Sequence, residues 1–441
     1  MRIVSITAGA AGMFCGSCLR DNTLAAALGE LGHETLLLPT YTPIRTDEPD
    51  VSRGPIFFGG ISVYLRQKYA FARRLPSWLF RPLDSRWLLQ QVSRHAVSVR
   101  AEDLGQLTVA MLEGSHGPQR SEIDRLVTWL GREWKPDVIL LTNVLLSGVV
   151  PALKERLGVP IVATLQGDDI FLDALPASYR QRCVELIQQN CRAVDAYIAT
   201  CRYYADFMST QLGLPGERFH VVFPGIRVEK FHRPLAQTPH DQDKNVPIIG
   251  YLARIAPEKG LHRLADAFIQ LRDRGRGPRA RLHIAGWLGE HHRSYWNQVC
   301  EKLAAAGLSE DIQRFDVPDH ESKVRFLHSL DLFSVPAPYR EPKGLYLLEA
   351  WAAGLPVVQP AHGSFPELIA ATQGGILFQP DDVTALAEAL RSLIEDPERR
   401  RRLGQSGQQV VCERFTAERM ARDTLAVFDR VLVTKPALKT G

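Results

Sequence analysis

Long apolar runs are missing from this chain: no stretch of its 441 residues reaches the ~18 consecutive apolar residues that a membrane-spanning helix needs. An excess of one charge is missing too. Lys and Arg total 53 against 49 Asp and Glu, a net charge of +4. That balance argues against a dedicated nucleic-acid binder, whose basic residues concentrate in a stripe, and suits small anionic molecules or a weak attraction to an anionic surface. The opening MRIVSITAGA lacks the charged start, apolar core and cleavage site of a secretion signal, so it reads as a first strand. The seven cysteines are odd in number and scattered, which points to reduced thiols in a cytoplasmic protein rather than a disulfide framework. One C-x-x-C occurs, Cys15-Gly16-Ser17-Cys18, but no second one and no well-spaced His pair completes a metal site. No short-period repeat is present.

Short β-rich runs alternating with longer helical patterns are what the chain does contain. Strands are predicted at Ile3–Thr7, Thr35–Leu38, Asp137–Leu141, Pro160–Leu165, Ala196–Ala199 and Phe219–Phe223. A Gly-rich turn and a helix over Asn22–Leu31 separate the first two. The polar, proline-punctuated 232–246 reads as a linker. The pattern then restarts with strands at Ile248–Leu252, Arg281–Ala285, Leu332–Val335 and Pro356–Gln359. Residues Val383 to Val433 read as helix, broken at Asp396-Pro397 and near Phe415. Strands alternating with helices imply parallel βαβ sheets. The expectation is an α/β protein of two Rossmann-like domains, 1–231 and 247–410, with a C-terminal helical segment, 411–441, packing back toward the first. Ligands of such sheets sit beyond the C-terminal strand ends, which places the site in an interdomain cleft.

The most informative stretch runs from Val335 to Glu367, VPAPYREPKGLYLLEAWAAGLPVVQPAHGSFPE. PAPYREPKG cannot continue a strand, so Glu341 falls on a loop. A helix should begin near Gly344 and run through Ala353, with Gly354 as its stop. Its free N–H groups at Gly344, Leu345 and Tyr346, with the helix dipole, suit a diphosphate. Glu349 shares a helix face with Leu345, Leu348 and Ala352, and an acid on an apolar face needs a polar partner: ribose hydroxyls, or else a structural Arg or backbone. The bare spacing of Glu341 and Glu349 carries little weight alone. A second feature is the end of the second domain's first strand, Gly250-Tyr251-Leu252-Ala253-Arg254, followed by Pro257-Glu258-Lys259-Gly260.

These residues together resemble the family-4 glycosyltransferases, the retaining group with the GT-B fold. The likeness is carried by Glu341-Pro342-Lys343-Gly344-Leu345, Glu349-Ala350, Gly354-Leu355-Pro356-Val357-Val358 and Gly363-Ser364-Phe365-Pro366-Glu367, and by Arg254 with Glu258-Lys259-Gly260. It covers most of the second domain. It implies a hexosyltransferase that takes a sugar from a nucleotide-diphosphate sugar and gives it to a hydroxyl acceptor with retention. Glu341 would contact the transferred sugar and Glu349 the ribose. Arg254 and Lys259 would stabilise the charge that develops on the leaving diphosphate. Two departures are Pro342, which has no N–H to offer the sugar, and Lys343, which stands where the family has an apolar residue and reads as a cation near the phosphates or as a solvated lysine. A GT-B epimerase or hydrolase, and a non-catalytic sugar-nucleotide-binding protein, are the other readings.

In the first domain the resemblance places Gly16 and Ser17 where the family's Gly-Gly pair approaches the donor. It places Gln166 where the family often has a sugar-contacting His. Asp168 reads either as an acceptor-side contact or as a helix cap. Asp168-Asp169 is not the Asp-x-Asp metal motif of the other main glycosyltransferase fold, so no essential metal or other cofactor is expected. Cys15 and Cys18 read as part of a tight turn or as a redox pair ahead of a helix. The insert 66–100 has one acid, Asp84, against eight Lys or Arg, with Trp78, Phe80 and Trp87 interleaved. It reads as a helical hairpin, as part of the acceptor wall, or as a peripheral contact with an anionic membrane.

Overall fold

Runs such as Val-Ile-Leu-Leu and Ile-Val-Ala-Thr-Leu show no polar alternation, which in a strand means burial on both faces and therefore a parallel sheet covered by helices. A computed structural model of the chain, describing residues 1–9, 16–58, 101–231, 246–272 and 277–433, has two such sheets. The first consists of β1 (Arg2–Thr7), β2 (Glu34–Pro39), β3 (Val138–Leu141), β4 (Ile161–Leu165), β5 (Ala196–Ala199) and β6 (Phe219–Val221), in the order β2-β1-β3-β4-β5-β6. The second consists of β7 (Ile248–Leu252), β8 (Arg281–Ala285), β9 (Ile312–Phe315), β10 (Leu332–Phe333), β11 (Val357–Pro360) and β12 (Gly375–Phe378), in the order β12-β11-β10-β7-β8-β9. Every pairing is parallel. Every residue of β3 and β4 is buried, and each such aliphatic side chain contributes about 1.5–3 kcal/mol.

In each sheet the strand order reverses beside the first strand of that sheet. β1 lies between β2 and β3, and β7 between β10 and β8. At such a switch point the loops leaving adjacent strands diverge and open a crevice at the C-terminal strand ends.

The chain divides into two units. One comprises Met1–Phe223 together with the chain from Glu418 onward, and the other Pro224–Ala417. The boundary falls before the turn Val228–Phe231, earlier than the sequence reading, because Phe231 packs with the second unit: Lys323 Nζ lies 5.7 Å from its ring centroid and the His320 ring 5.1 Å. The second unit closes on itself where Ile226 N–H donates to Phe415 O (3.0 Å) and Ala417 N–H to Ile226 O (2.9 Å). In the first unit, the last helix, Ala417–Val433, brings Arg430 Nη1 to 3.3 Å from His220 Nδ1.

The predicted strands are all present, within two residues at either end, but β9 and β12 were not anticipated. The Gly363–Glu367 segment leads into a helix, Phe365–Thr372, with Pro366 in its first turn. Proline there lacks only an N–H that has no intrahelical partner anyway. The insert 66–100 and Cys15 lie outside the described residues, as does the linker apart from Val246. No helix among the described residues is long and apolar enough to cross a membrane.

Candidate functional site

In the second unit the β7–β10 register pairs Ile249 with Leu332 and Gly250 with Phe333, so the loops that leave these strands run side by side. They touch at Gly260. Its φ is +74°, and a Cβ there would stand 2.0 Å from Pro336 O, so only glycine fits. Upstream, Tyr251 Oη donates to Arg254 O (3.2 Å), and Ile255 N–H donates to Trp287 O (2.9 Å), which fixes the turn that carries Arg254 and Lys259. Across from it, Glu341 N–H donates to Tyr339 O (2.9 Å), and Ser364 N–H donates to Glu341 O (2.8 Å).

This framework brings Lys259 Nζ onto Glu341 Oε2 as an ion pair whose side chains are only 15% and 6% exposed. Burial alone would push the Glu341 carboxyl up. The charges of Lys259 and then Lys343, with hydrogen bonds from Lys259 and the Lys343 backbone, outweigh it and hold the group below its ordinary value. The Lys259 ammonium also sits 5.6 Å from the Tyr346 ring centroid. The Tyr346 hydroxyl is buried with no hydrogen-bond partner among the described residues, and burial, then the Glu341 charge, raises its pKa well above the ordinary value.

The helix beyond Glu341 is Leu345–Ala352, with Gly344 (φ +63°) as its N-cap. The caps land close to expectation: Gly354 N–H donates to Trp351 O (2.8 Å) and Leu355 N–H to Ala350 O (2.9 Å). The first turn directs the N–H groups of Leu345 and Tyr346 out of the helix, beside the Lys259–Glu341 pair. Arg254 does not join that pair. Its Nη2 bonds Glu258 Oε1 at 2.8 Å, four residues on, with both side chains about one-third exposed.

Glu349, on the same helix, is buried against a cation that sequence reasoning did not name. Lys323 Nζ lies 2.5 Å from Glu349 Oε1, and their side chains are 11% and 8% exposed. The apolar face on which Glu349 sits was the signal that a partner was needed. Which residue supplies it depends on how the helix His320–His328 packs, and no local pattern reveals that.

The first unit holds the other named residues. Gly16 and Ser17 are not part of a loop, as the sequence suggested: the helix Gly16–Glu30 begins at them, so they form its first turn. Cys18 is buried with Ala25, Leu37 and Ile44, which makes it part of the packing. Gln166 is buried at the end of β4, and its amide donates to Asp21 Oδ1 (3.0 Å) and to Thr142 O (2.9 Å). Asp168 is 1% exposed, and its oxygens accept backbone N–H bonds from Val144 (3.0 Å) and Gln166 (2.9 Å). That is a structural use of the carboxylate, holding the β3 and β4 loops together. It is not the helix cap considered from sequence, since Gly167 caps Asp168–Asp173. Tyr204 Oη donates to Asp169 Oδ1 (2.7 Å) and accepts from the Gly167 and Asp168 N–H groups.

Comparison with known proteins matches both units. Residues 22–225 match the family model described as glycosyl transferase 4-like domain, and 233–410 match that of glycosyl transferases group 1. The chain is 28% identical over 306 residues to a glycogen synthase of Mycobacterium tuberculosis, covering 67% of this chain and 69% of that protein. It is 25% identical over 344 residues to an MMP alpha-(1->4)-mannosyltransferase of Mycolicibacterium hassiacum, covering 75% and 79%. Among solved structures, sucrose-phosphate synthase from Thermosynechococcus elongatus superposes with a TM-score of 0.72 at 17% identity, over 99% of this chain and 100% of that one. Anabaena Alr3699/HepE, solved in complex with UDP, superposes with a TM-score of 0.68 at 18% identity, over 98% and 100%. These structural likenesses establish the fold. The chain therefore belongs to the family-4 type glycosyltransferases, enzymes of the two-domain, Rossmann-like GT-B fold.

Proposed function

We propose that this enzyme transfers a hexose from a nucleotide-diphosphate sugar to a hydroxyl acceptor with retention at the anomeric carbon. The observation that carries the reading is the buried Lys259–Glu341 pair beside the Leu345–Ala352 N-terminus, at the β7/β10 switch point. Cation, backbone donors and helix dipole converge there, as a diphosphate requires. The related fold solved with UDP, and again with UDP-glucose, adds support for a nucleotide-sugar donor.

In this reading the diphosphate lies against the helix N-terminus and Lys259, with Arg254 turning from Glu258 to the phosphates. Lys259 fixes Glu341, whose carboxylate stays ionised and accepts hydroxyl hydrogens of the sugar. Glu349, oriented by Lys323, accepts from the ribose. The acceptor oxygen attacks the anomeric carbon on the leaving-group face as the carbon–phosphate-oxygen bond breaks. A diphosphate oxygen takes the acceptor's proton, so no protein base is needed. The leaving group gains negative charge in the transition state, where fixed cations count most.

A nucleotide-release assay over UDP-, GDP- and ADP-sugars, with and without hydroxyl acceptors, tests the proposal, and NMR of the product reads its anomeric configuration. Acceptor-dependent release with a retained anomer is expected. Release that ignores the acceptor indicates a hydrolase, and an inverted product overturns the mechanism.

A further inference from the structure

The N-terminal unit contains a charged side chain that the reaction above does not use. Arg20, on the helix Gly16–Glu30, is fully buried. Its Nη1 contacts Asp21 Oδ1 at 3.3 Å, while Nε and Nη2 have no hydrogen-bond partner among the described residues. Those two atoms lie on one edge of the planar guanidinium. Their N–H bonds point the same way, in the spacing that matches two oxygens of one carboxylate or phosphate.

Asp21 does not supply that match. It is shared: Oδ1 also accepts from Gln166 Nε2 (3.0 Å) and Oδ2 from Thr7 Oγ1 (3.4 Å). Burial accordingly lowers the Arg20 pKa, with Asp21 only partly opposing it. A buried guanidinium with two unpaired donors is costly, and an oxyanion removes that cost through charge-assisted bonds in a low-dielectric setting. Thr7 ends β1, Gln166 follows β4, and Thr142, whose carbonyl accepts from Gln166, follows β3. The Arg20–Asp21 pair thus stands at the β1/β3 switch point, where a sheet of this topology opens its crevice.

We propose that the Nε–Nη2 edge of Arg20 is an oxyanion subsite that takes the phosphate or carboxylate of an anionic acceptor. This rests on the reading that the enzyme glycosylates a hydroxyl acceptor. It adds the acceptor's chemical class: a hydroxyl compound carrying a phosphate or carboxylate group. Asp21, itself held by Gln166 and Thr7, anchors the guanidinium, and the donor diphosphate keeps its own cations in the second unit.

Calorimetric titration of the full chain with inorganic phosphate, and separately with acetate, tests the assignment. The arm that binds identifies the class of anion. The anion should bind the wild type and the Lys259→Met/Glu341→Gln double variant alike, and bind Arg20→Lys at least about tenfold more weakly. Arg20→Lys keeps the charge and loses the fork. Arg20→Gln, neutral but still able to hydrogen-bond Asp21, is the companion variant and should behave the same way. A UDP, GDP and ADP arm runs in parallel and should be unaffected by Arg20→Lys. No anion binding by the wild type, or equal binding by wild type and Arg20→Lys, overturns the proposal. So does nucleotide affinity that falls with Arg20→Lys, which would give Arg20 to the donor. Failure of the donor reading is separate, because it shows only as absent nucleotide binding while the anion arms stand.

Discussion

Replacing Lys259 with methionine separates its place in the buried ion pair with Glu341 from the catalytic role proposed for it. The aliphatic stem is kept and the ammonium removed, which leaves the Glu341 carboxylate buried with the Lys343 charge and backbone N–H as its remaining support. Breaking a buried ion pair by removing one partner costs about 3–5 kcal/mol. At about 2–4 °C per kcal/mol for a unit of this size, the melting temperature of the second unit should fall by roughly 6–20 °C near pH 7.5. The pH dependence has a definite sign. In the wild type the folded Glu341 pKa is depressed, so its contribution is present above the unfolded value of about 4.3 and is lost as pH falls through the folded value. In Lys259→Met, burial dominates and the folded pKa rises above the unfolded one. The variant is then penalised above about pH 4.3 and relieved below it, so the gap to wild type should shrink from pH 7.5 to pH 4. Adding Glu341→Gln should recover much of the lost stability and none of the turnover. Differential scanning calorimetry across pH reads all of this. A gap that stays constant or widens toward pH 4, or a double variant no more stable than the single, would refute the reasoning.

Arg254→Ala should behave differently, because the Arg254–Glu258 pair is one-third exposed: stability should change by only about 0–1 kcal/mol while turnover falls on the order of 10²–10³-fold, as melting curves and a nucleotide-release assay would register. The burial of Lys259 is what sets the two cations apart. Asp168→Ala should destabilise the first unit by roughly 2–6 kcal/mol, since two buried N–H groups lose their acceptor, and should leave nucleotide affinity in the second unit unchanged. A melting shift of less than about 2 °C, or lost nucleotide binding, would count against the structural role of Asp168.

How much was legible in advance depended on range. The β3, β4 and β7 runs are almost continuously apolar, so their strands could be read directly. Edge strand β9 is Ile-Gln-Arg-Phe, half polar and exposed in its middle, and β12 opens with glycine, so neither carries a strand signal. The motif around Glu341 and the caps of the following helix were visible because they are local. The partners were not. Lys259 and Glu341 are 82 residues apart and Lys323 and Glu349 are 26 apart, and both meetings depend on tertiary register. Gln166 was read as sugar-facing from its position, but the side chain is held by Asp21 and the Thr142 carbonyl. The burial of Arg20 and Asp21 was not legible, because burying Arg-Asp-Asn-Thr in a single helix runs against the amphipathic pattern expected of it. A run of four polar residues in an otherwise apolar helix was the signal available.

The most direct test of a donor site built on Lys259 is calorimetric titration of UDP, GDP and ADP into the wild type and into Lys259→Met/Glu341→Gln. One nucleotide should bind the wild type and lose at least about tenfold in affinity in the double variant. Binding of equal strength in both proteins, or no binding of any of the three, contradicts the account.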